Sequence, residues 1–210
     1  MKIVKPSFTI EYPATSDEWL REVKLIESTG RVSHKSEDRI TDDSWRDFIK
    51  MLIRMKHFAA LEFGNMVVRF VTDRGIMSEL TRHRLCSFMV ESTRYCDYSK
   101  DKFGKEITFI KPSGITSDRD YAAWCRVCEC AEYDYKLISG DTTAQVARSV
   151  LPNCTKTEIV MKCDFTELRH IFQLRAIEKA AHPDMRALMI PLYEECRKLC
   201  PEVFDMGEVE

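Results

Sequence analysis

The chain has 210 residues, 44 % of them hydrophobic and 31 % charged, with 32 Lys plus Arg against 34 Asp plus Glu. That length can bury a sizeable core and predicts one domain over residues 1–210, while a formal charge of -2 argues against a protein that coats nucleic acid by bulk electrostatics. Seven Gly and seven Pro leave little room for a long disordered linker.

Residues 3 to 12 are apolar and β-branched enough for a strand, and Thr15-Ser16-Asp17-Glu18 forms a capping-box pattern that opens a helix through about residue 28. A second helix follows Asp43 or Ser44, because Trp45, Phe48, Ile49, Leu52 and Ile53 recur at three- and four-residue spacing. The period then changes to two over Phe63 to Asp73, which predicts a mostly buried strand. Arg74-Gly75 marks a turn, and Ile76, Met77 and Leu80 predict a short helix running into Arg82-His83-Arg84. A long amphipathic helix from Ser117 to about Leu137 places Tyr121, Trp124, Cys125, Cys128, Ala131 and Tyr135 on one stripe, with Gly140 as its stop. A shorter helix carrying Gln145 and Arg148 must end before Leu151-Pro152, since the residue before a proline leaves the helical region. Alternation from Thr155 to Lys162 predicts a strand, and helices follow from about Phe165 and from Pro183. Helices and strands mix without regular βα alternation, so the fold class is α+β, a mainly antiparallel sheet with flanking long helices.

The segment Thr81 to Tyr95 gathers three arginines, a histidine and several hydroxyls in fifteen residues. A charge run is usually a solvated face. Here Ser87, Ser92, Thr93 and Arg94, in the company of Glu91, add hydroxyl donors and a further guanidinium suited to a phosphate, and the chain has neither a G-x-G-x-x-G nor a Walker-type loop. A nucleotide would therefore be held by side chains. Were the helix to continue through residue 84, Arg82 and Arg84 would point about 200° apart and address different partners.

Arg82-His83-Arg84, seven further residues and Ser92 resemble the signature of the flavin-dependent thymidylate synthases, and the longer run Arg-His-Arg-x-x-Ser-x-x-x-Glu-Ser-Thr-Arg-Tyr extends that likeness to Tyr95. His57-x-x-x-x-Glu62 and Gly30-Arg31-Val32-Ser33 resemble the family's upstream elements. Ala147-Arg148-x-x-Leu151-Pro152 and Arg169-His170-x-x-x-Leu174-Arg175 resemble its downstream ones, in the expected order.

The resemblance implies an α+β homotetramer that binds FAD and dUMP where subunits meet. It also implies a reaction that moves a methylene from 5,10-methylenetetrahydrofolate to the uracil, with NADPH as reductant. It assigns to the flavin His57, Ala59, Arg82, His83, Arg84, Val90, Asp164, Phe165, Thr166 and His170. To the nucleotide it assigns Glu79, Leu80, Thr81, Arg82, Glu91, Ser92, Thr93, Arg94, Arg148 and Arg175, with Arg148 reaching the phosphate from a neighbouring subunit. Arg175 is the candidate catalytic residue, a guanidinium able to stabilise charge developing on the uracil. Ser92 reads as a positioning group, because no base and orienter accompany it as a nucleophile would require.

Three positions depart from common family patterns. Met89 stands where some members have Asn, Val90 where Glu or Gln is frequent, and Asp164 where Asn is usual. Val90 can serve a ligand only through its backbone, and an ionised Asp164 accepts but cannot donate.

Nine cysteines, an odd number, and an N-terminus without the apolar run of a secretion signal predict reduced thiols in a cytoplasmic protein. No stretch approaches the roughly eighteen apolar residues of a membrane span. Cys125-x-x-Cys128-x-Cys130 lies on a helix stripe without a second pair at zinc-like spacing, so no metal is expected. The alternative function is a non-catalytic nucleotide- or RNA-binding protein, against which the lack of a basic surplus counts.

Overall fold

A computed structural model of the chain describes residues 1–209. The elements in chain order are β1 (Lys2–Val4), β2 (Ser7–Tyr12), α1 (Ser16–Val32), α2 (Ser44–Arg54), β3 (Asn65–Asp73), α3 (Arg74–Leu80), β4 (Ser87–Val90), β5 (Thr108–Ile110), α4 (Asp118–Asp141), α5 (Ala144–Ala147), β6 (Lys156–Asp164), α6 (Phe165–Phe172), α7 (Pro183–Leu199) and α8 (Pro201–Phe204). The sheet of four strands, in the order β2-β3-β6-β4, is antiparallel, and β1 pairs in parallel with β5 in a separate ribbon. This is the α+β class expected from the pattern. Among the described residues no helix is long and apolar enough to cross a membrane.

The chain divides into two compact units. The first comprises Met1–Ser7, Phe70–Arg82 and Met89–Val160. Its core gathers Tyr98, Ile107, Phe109, Cys128, Tyr135 and Ala147. α4 faces that core with Cys128, Ala131 and Tyr135, whereas Tyr121, on the same predicted stripe, is exposed. Buried Glu132 is satisfied by the N-terminal ammonium of Met1 at 2.9 Å, by Lys136 at 2.9 Å and by the Ile107 amide at 3.0 Å. The Cys128 and Cys154 sulfurs lie 3.7 Å apart, and burial pushes the Cys128 thiol up.

The second unit comprises Phe8–Arg69, His83–Phe88 and Met161 onward. Its centre is aromatic: Phe165 stacks on Trp19 at 5.8 Å, Phe204 meets both edge-on, and Phe172 packs on Tyr193 at 5.3 Å. The capping box is present as read, with Thr15 Oγ1 accepting from the Glu18 amide and Glu18 accepting from the Thr15 amide. The helix it opens runs to Val32, beyond the expected end near residue 28. Gly30 lies within it, where a Cβ would come within 2.8 Å of the Phe48 ring of α2, so that the lack of a side chain lets the two helices approach.

Three other boundaries differ from the expectation, the first being α4, which runs through Gly140 to Asp141 with Thr142 as its cap. The strand over residues 3 to 12 is two strands broken at Lys5-Pro6, since proline has no donor for a ladder. α3 stops at Leu80 and Thr81 caps it, so Arg82, His83 and Arg84 follow the helix and do not continue its spiral. The opposition of Arg82 and Arg84 derived from helical geometry therefore does not apply. Strand β4 was not anticipated from the pattern.

Candidate active site

In the second unit the site begins at the end of β6. Asp164 leaves the strand and caps α6, its Oδ1 accepting the Glu167 amide at 2.8 Å. The first residue of α6 is tied down by its own amide, Phe165 N donating to Gly64 O at 3.0 Å. Gly64 permits this approach, because a Cβ there would lie 2.6 Å from the Phe165 ring. Thr166 Oγ1 donates to the Phe58 carbonyl at 2.9 Å, so both neighbouring residues hold the turn that carries His57 and Ala59.

His57 and Ala59 are exposed and line a cavity of about 970 Å³ together with Arg31, His34, Phe48 and Met51. A concavity of that size, lined by aromatic and sulfur-bearing side chains and by Arg31 and Arg39, suits an organic cofactor. Arg31 is already committed to Glu27 at 2.7 Å and lies over the Phe48 ring.

α6 continues into a π-helical turn at Gln173–Ile177, where Glu178 N donates to Gln173 O five residues back at 3.0 Å. Arg175 sits in that turn and donates from Nε to His83 Nε2 at 3.2 Å. His83 is 6 % exposed, its Nδ1 lies 3.4 Å from Glu167 Oε1, and the His170 ring meets it edge-on with centroids 6.2 Å apart. Burial, with the charge of Arg175 and then His170, pushes the His83 pKa down to about 4, so the ring is neutral at physiological pH. Burial raises the Glu167 carboxyl above its ordinary value, and His170 opposes that rise.

In the first unit α3 presents Glu79, Leu80 and Thr81 after Asp73 caps it, Oδ1 accepting from the Ile76 amide at 2.9 Å. Beyond β4 comes the Glu91-Ser92-Thr93-Arg94 turn, clamped at both ends. Glu91 Oε1 accepts from the Tyr98 hydroxyl at 2.8 Å, and its Oε2 accepts from Lys156 Nζ at 2.9 Å and from the Glu158 amide at 3.2 Å. Arg94 Nε donates to Gln145 Oε1 of α5 at 2.9 Å, with Arg148 exposed three residues beyond. Burial alone would lower the Lys156 pKa, but its bonds to Glu158 and Glu91 outweigh that and raise it. Burial and the Glu91 carboxylate raise Tyr98, which stays a phenol donor.

The expected site residues thus fall into different settings. Arg82, Arg84, Arg94 and Arg148 are exposed guanidinium carriers. Leu80 and Phe165 are wholly buried, so only their main chain is available to a ligand. Thr93 is buried and Val90 half-buried. Asp164 spends one oxygen on its helix cap. Glu167, Lys156, Tyr98 and Gln145 were not singled out from the sequence. Glu167 had a signal, its three-residue spacing before His170 on one helix face, and Lys156 had another, its two-residue spacing before Glu158 on one strand face.

A family model described as "Thymidylate synthase complementing protein" matches residues 16–202. The flavin-dependent thymidylate synthase of Pyrococcus furiosus is 28 % identical over 177 residues, covering 83 % of this chain and 71 % of that one. The enzyme of the same name from Geobacter sulfurreducens is 27 % identical over 160 residues, covering 75 % and 67 %. The chain belongs to the flavin-dependent thymidylate synthase family. It is on that ground an enzyme, a methyltransferase. Its fold is shared with a solved structure of a UMP/dUMP methylase, PolB, from Streptomyces cacaoi bound with 5-Br dUMP, at a TM-score of 0.77 and 21 % identity over 98 % of this chain and 96 % of that one.

Proposed function

We propose that the protein, as a single synthase domain over residues 1–210, converts dUMP to dTMP with 5,10-methylenetetrahydrofolate as carbon donor, FAD as cofactor and NADPH as reductant. The observation that carries this reading is the family match over residues 16–202, a span that holds every candidate site residue.

His57, Ala59, Arg82, His83, Arg84, Val90, Asp164, Phe165, Thr166 and His170 would hold the flavin. The donor set fits: exposed guanidinium groups suit a pyrophosphate, and the cavity beside His57 offers room and apolar wall for a ring system. FAD, when bound, supplies the hydride that completes the methyl group. The chain's own residues orient and polarise. Glu79, Leu80, Thr81, Arg82, Glu91, Ser92, Thr93, Arg94 and Arg148 would hold dUMP, with the hydroxyls and exposed arginines facing its phosphate and sugar. Val90 and Leu80 serve through their main chain. Arg175 is the electrostatic catalyst: a fixed guanidinium beside the uracil stabilises the negative charge that builds as the ring is activated.

We read the protein as a homotetramer with sites at subunit boundaries. Leu85, Met89 and Tyr95, 75 to 80 % exposed within the Arg-rich segment, support this, since large apolar side chains so bare are usually covered by a partner or a ligand. Nine free thiols support a reducing, cytoplasmic setting.

Arg175→Ala tests the catalytic assignment. The variant should retain FAD, seen in its visible spectrum, and lose dTMP formation; full activity would refute the role.

A further inference from the structure

Resting on the reading in which Arg175 meets the substrate, we propose that Glu167 is a positioning residue for Arg175, acting through His83. A neutral imidazole carries one N–H, and His83 Nε2 accepts from Arg175 Nε at 3.2 Å, so the ring proton must sit on Nδ1. Nδ1 faces Glu167 Oε1 at 3.4 Å. The carboxylate therefore selects the tautomer that leaves Nε2 free to accept, and Nε2 in turn fixes the azimuth of the guanidinium.

The other surroundings agree. His83 and Glu167 side chains are 5 % and 7 % exposed, so water does not compete for either. A buried carboxylate is costly unless something rewards it, and Glu167 sits in the first turn of α6, where the helix dipole favours a negative charge. Arg175 lies in the π-helical turn, a local departure of the kind that recurs at functional sites. The depressed pKa of His83 keeps the ring neutral, as an acceptor to Arg175 must be. The flavin and nucleotide assignments give Glu167 no other work.

The test uses the whole 210-residue chain, loaded with FAD. Glu167→Met keeps the length of the side chain and removes the acceptor. It should lose about tenfold to a hundredfold in kcat/KM, the scale of a misplaced reacting group, while retaining flavin. Glu167→Gln, whose amide oxygen can still accept from Nδ1–H, should recover most of that loss. A merely structural role predicts loss independent of Arg175, so the decisive readout is a double-mutant cycle on dUMP affinity. In an Arg175→Ala background Glu167→Met should weaken dUMP no further; additive losses overturn the proposal, as does a Glu167→Met enzyme equal to wild type. If Glu167→Met does not fold, His83→Asn, which keeps a donor for Glu167 but no acceptor at the Nε2 position, enters the same cycle with the same two outcomes. Should the wild type neither bind nor convert dUMP, the functional reading fails, and the 15N spectrum of the His83 ring decides the pairing alone. An Nδ1–H tautomer lost in Glu167→Met supports it, and an unaltered ring overturns it.

Discussion

Lys156→Met is the most informative perturbation of the turn proposed to hold the nucleotide. Lys156 Nζ holds Glu91 at 2.9 Å and Glu158 at 2.7 Å, and its side chain is 19 % exposed. A hydrogen bond to a charged group contributes about 1.5–3 kcal/mol when enclosed, but Glu158 is 40 % exposed and its share is largely screened. Glu91, 15 % exposed, keeps the Tyr98 hydroxyl and the Glu158 amide when the lysine is gone. The net cost is therefore about 2 kcal/mol, well below the full loss of a sealed ion pair. Urea unfolding followed by circular dichroism should show a lowered midpoint at constant slope. Because Glu91 anchors the Ser92-Thr93-Arg94 turn, dUMP affinity by calorimetry should weaken by about threefold to tenfold, roughly 1 kcal/mol. Glu91→Gln in the Lys156→Met background should add less than it does alone, as partners in one network couple. A variant within about 0.5 kcal/mol of wild type that binds dUMP equally well would refute the clamp.

Three further outcomes are expected. Thr157 is wholly buried in β6 and its Oγ1 has no hydrogen-bond partner among the described residues, so Thr157→Val should stabilise by about 1 kcal/mol and raise the melting temperature by about 2–4 °C; a lower melting temperature would mean the hydroxyl has a partner. Thr15→Ala removes the hydroxyl half of the α1 capping box and should cost about 1 kcal/mol in the same assay, with no change at all as the contrary result. His83 binds its proton near pH 4 when folded and near 6.5 when unfolded, so between those values the unfolded chain holds the extra proton. Its contribution is complete above about pH 6.5 and is lost as pH falls toward 4, and His83→Asn should flatten that slope of stability against pH.

Where a local rule decided the outcome, the sequence was sufficient. The Thr15 to Glu18 cap, the Trp45 to Ile53 stripe and the strand ending at Asp73 needed only periodicity and side-chain hydrogen bonding. What escaped was set by distant partners. β1 and β5 are three residues each, and their pairing of Lys2 with Thr108 and Val4 with Ile110 has no local signature. α1 runs past its expected end through Gly30, whose close approach to Phe48 on another helix has no local signature. Arg82 to Arg84 left the helix because Thr81 caps α3, a boundary that the basic run itself does not mark.

The candidate site followed the same division. The arginines and hydroxyls of residues 82 to 94 suggest an anion site through composition, and the ordered motifs point to the family that the match over residues 16–202 shows. The groups that hold those residues carry at most a spacing signal: Glu167 beside His83, and Tyr98 and Lys156 around Glu91, gain a role only when the fold brings them together. Asp164, a departure from the usual Asn, caps α6 with an oxygen, a task for which Asn and Asp are near equals.

The central claim is that this chain uses a flavin to methylate dUMP, and the visible spectrum of the FAD-loaded protein tests it most directly. NADPH under anaerobic conditions should bleach the oxidised-flavin band. Methylenetetrahydrofolate and dUMP together should then restore that band with one dTMP formed per flavin reoxidised. Failure to bind FAD at saturating concentration, or reoxidation without dTMP, would contradict the account.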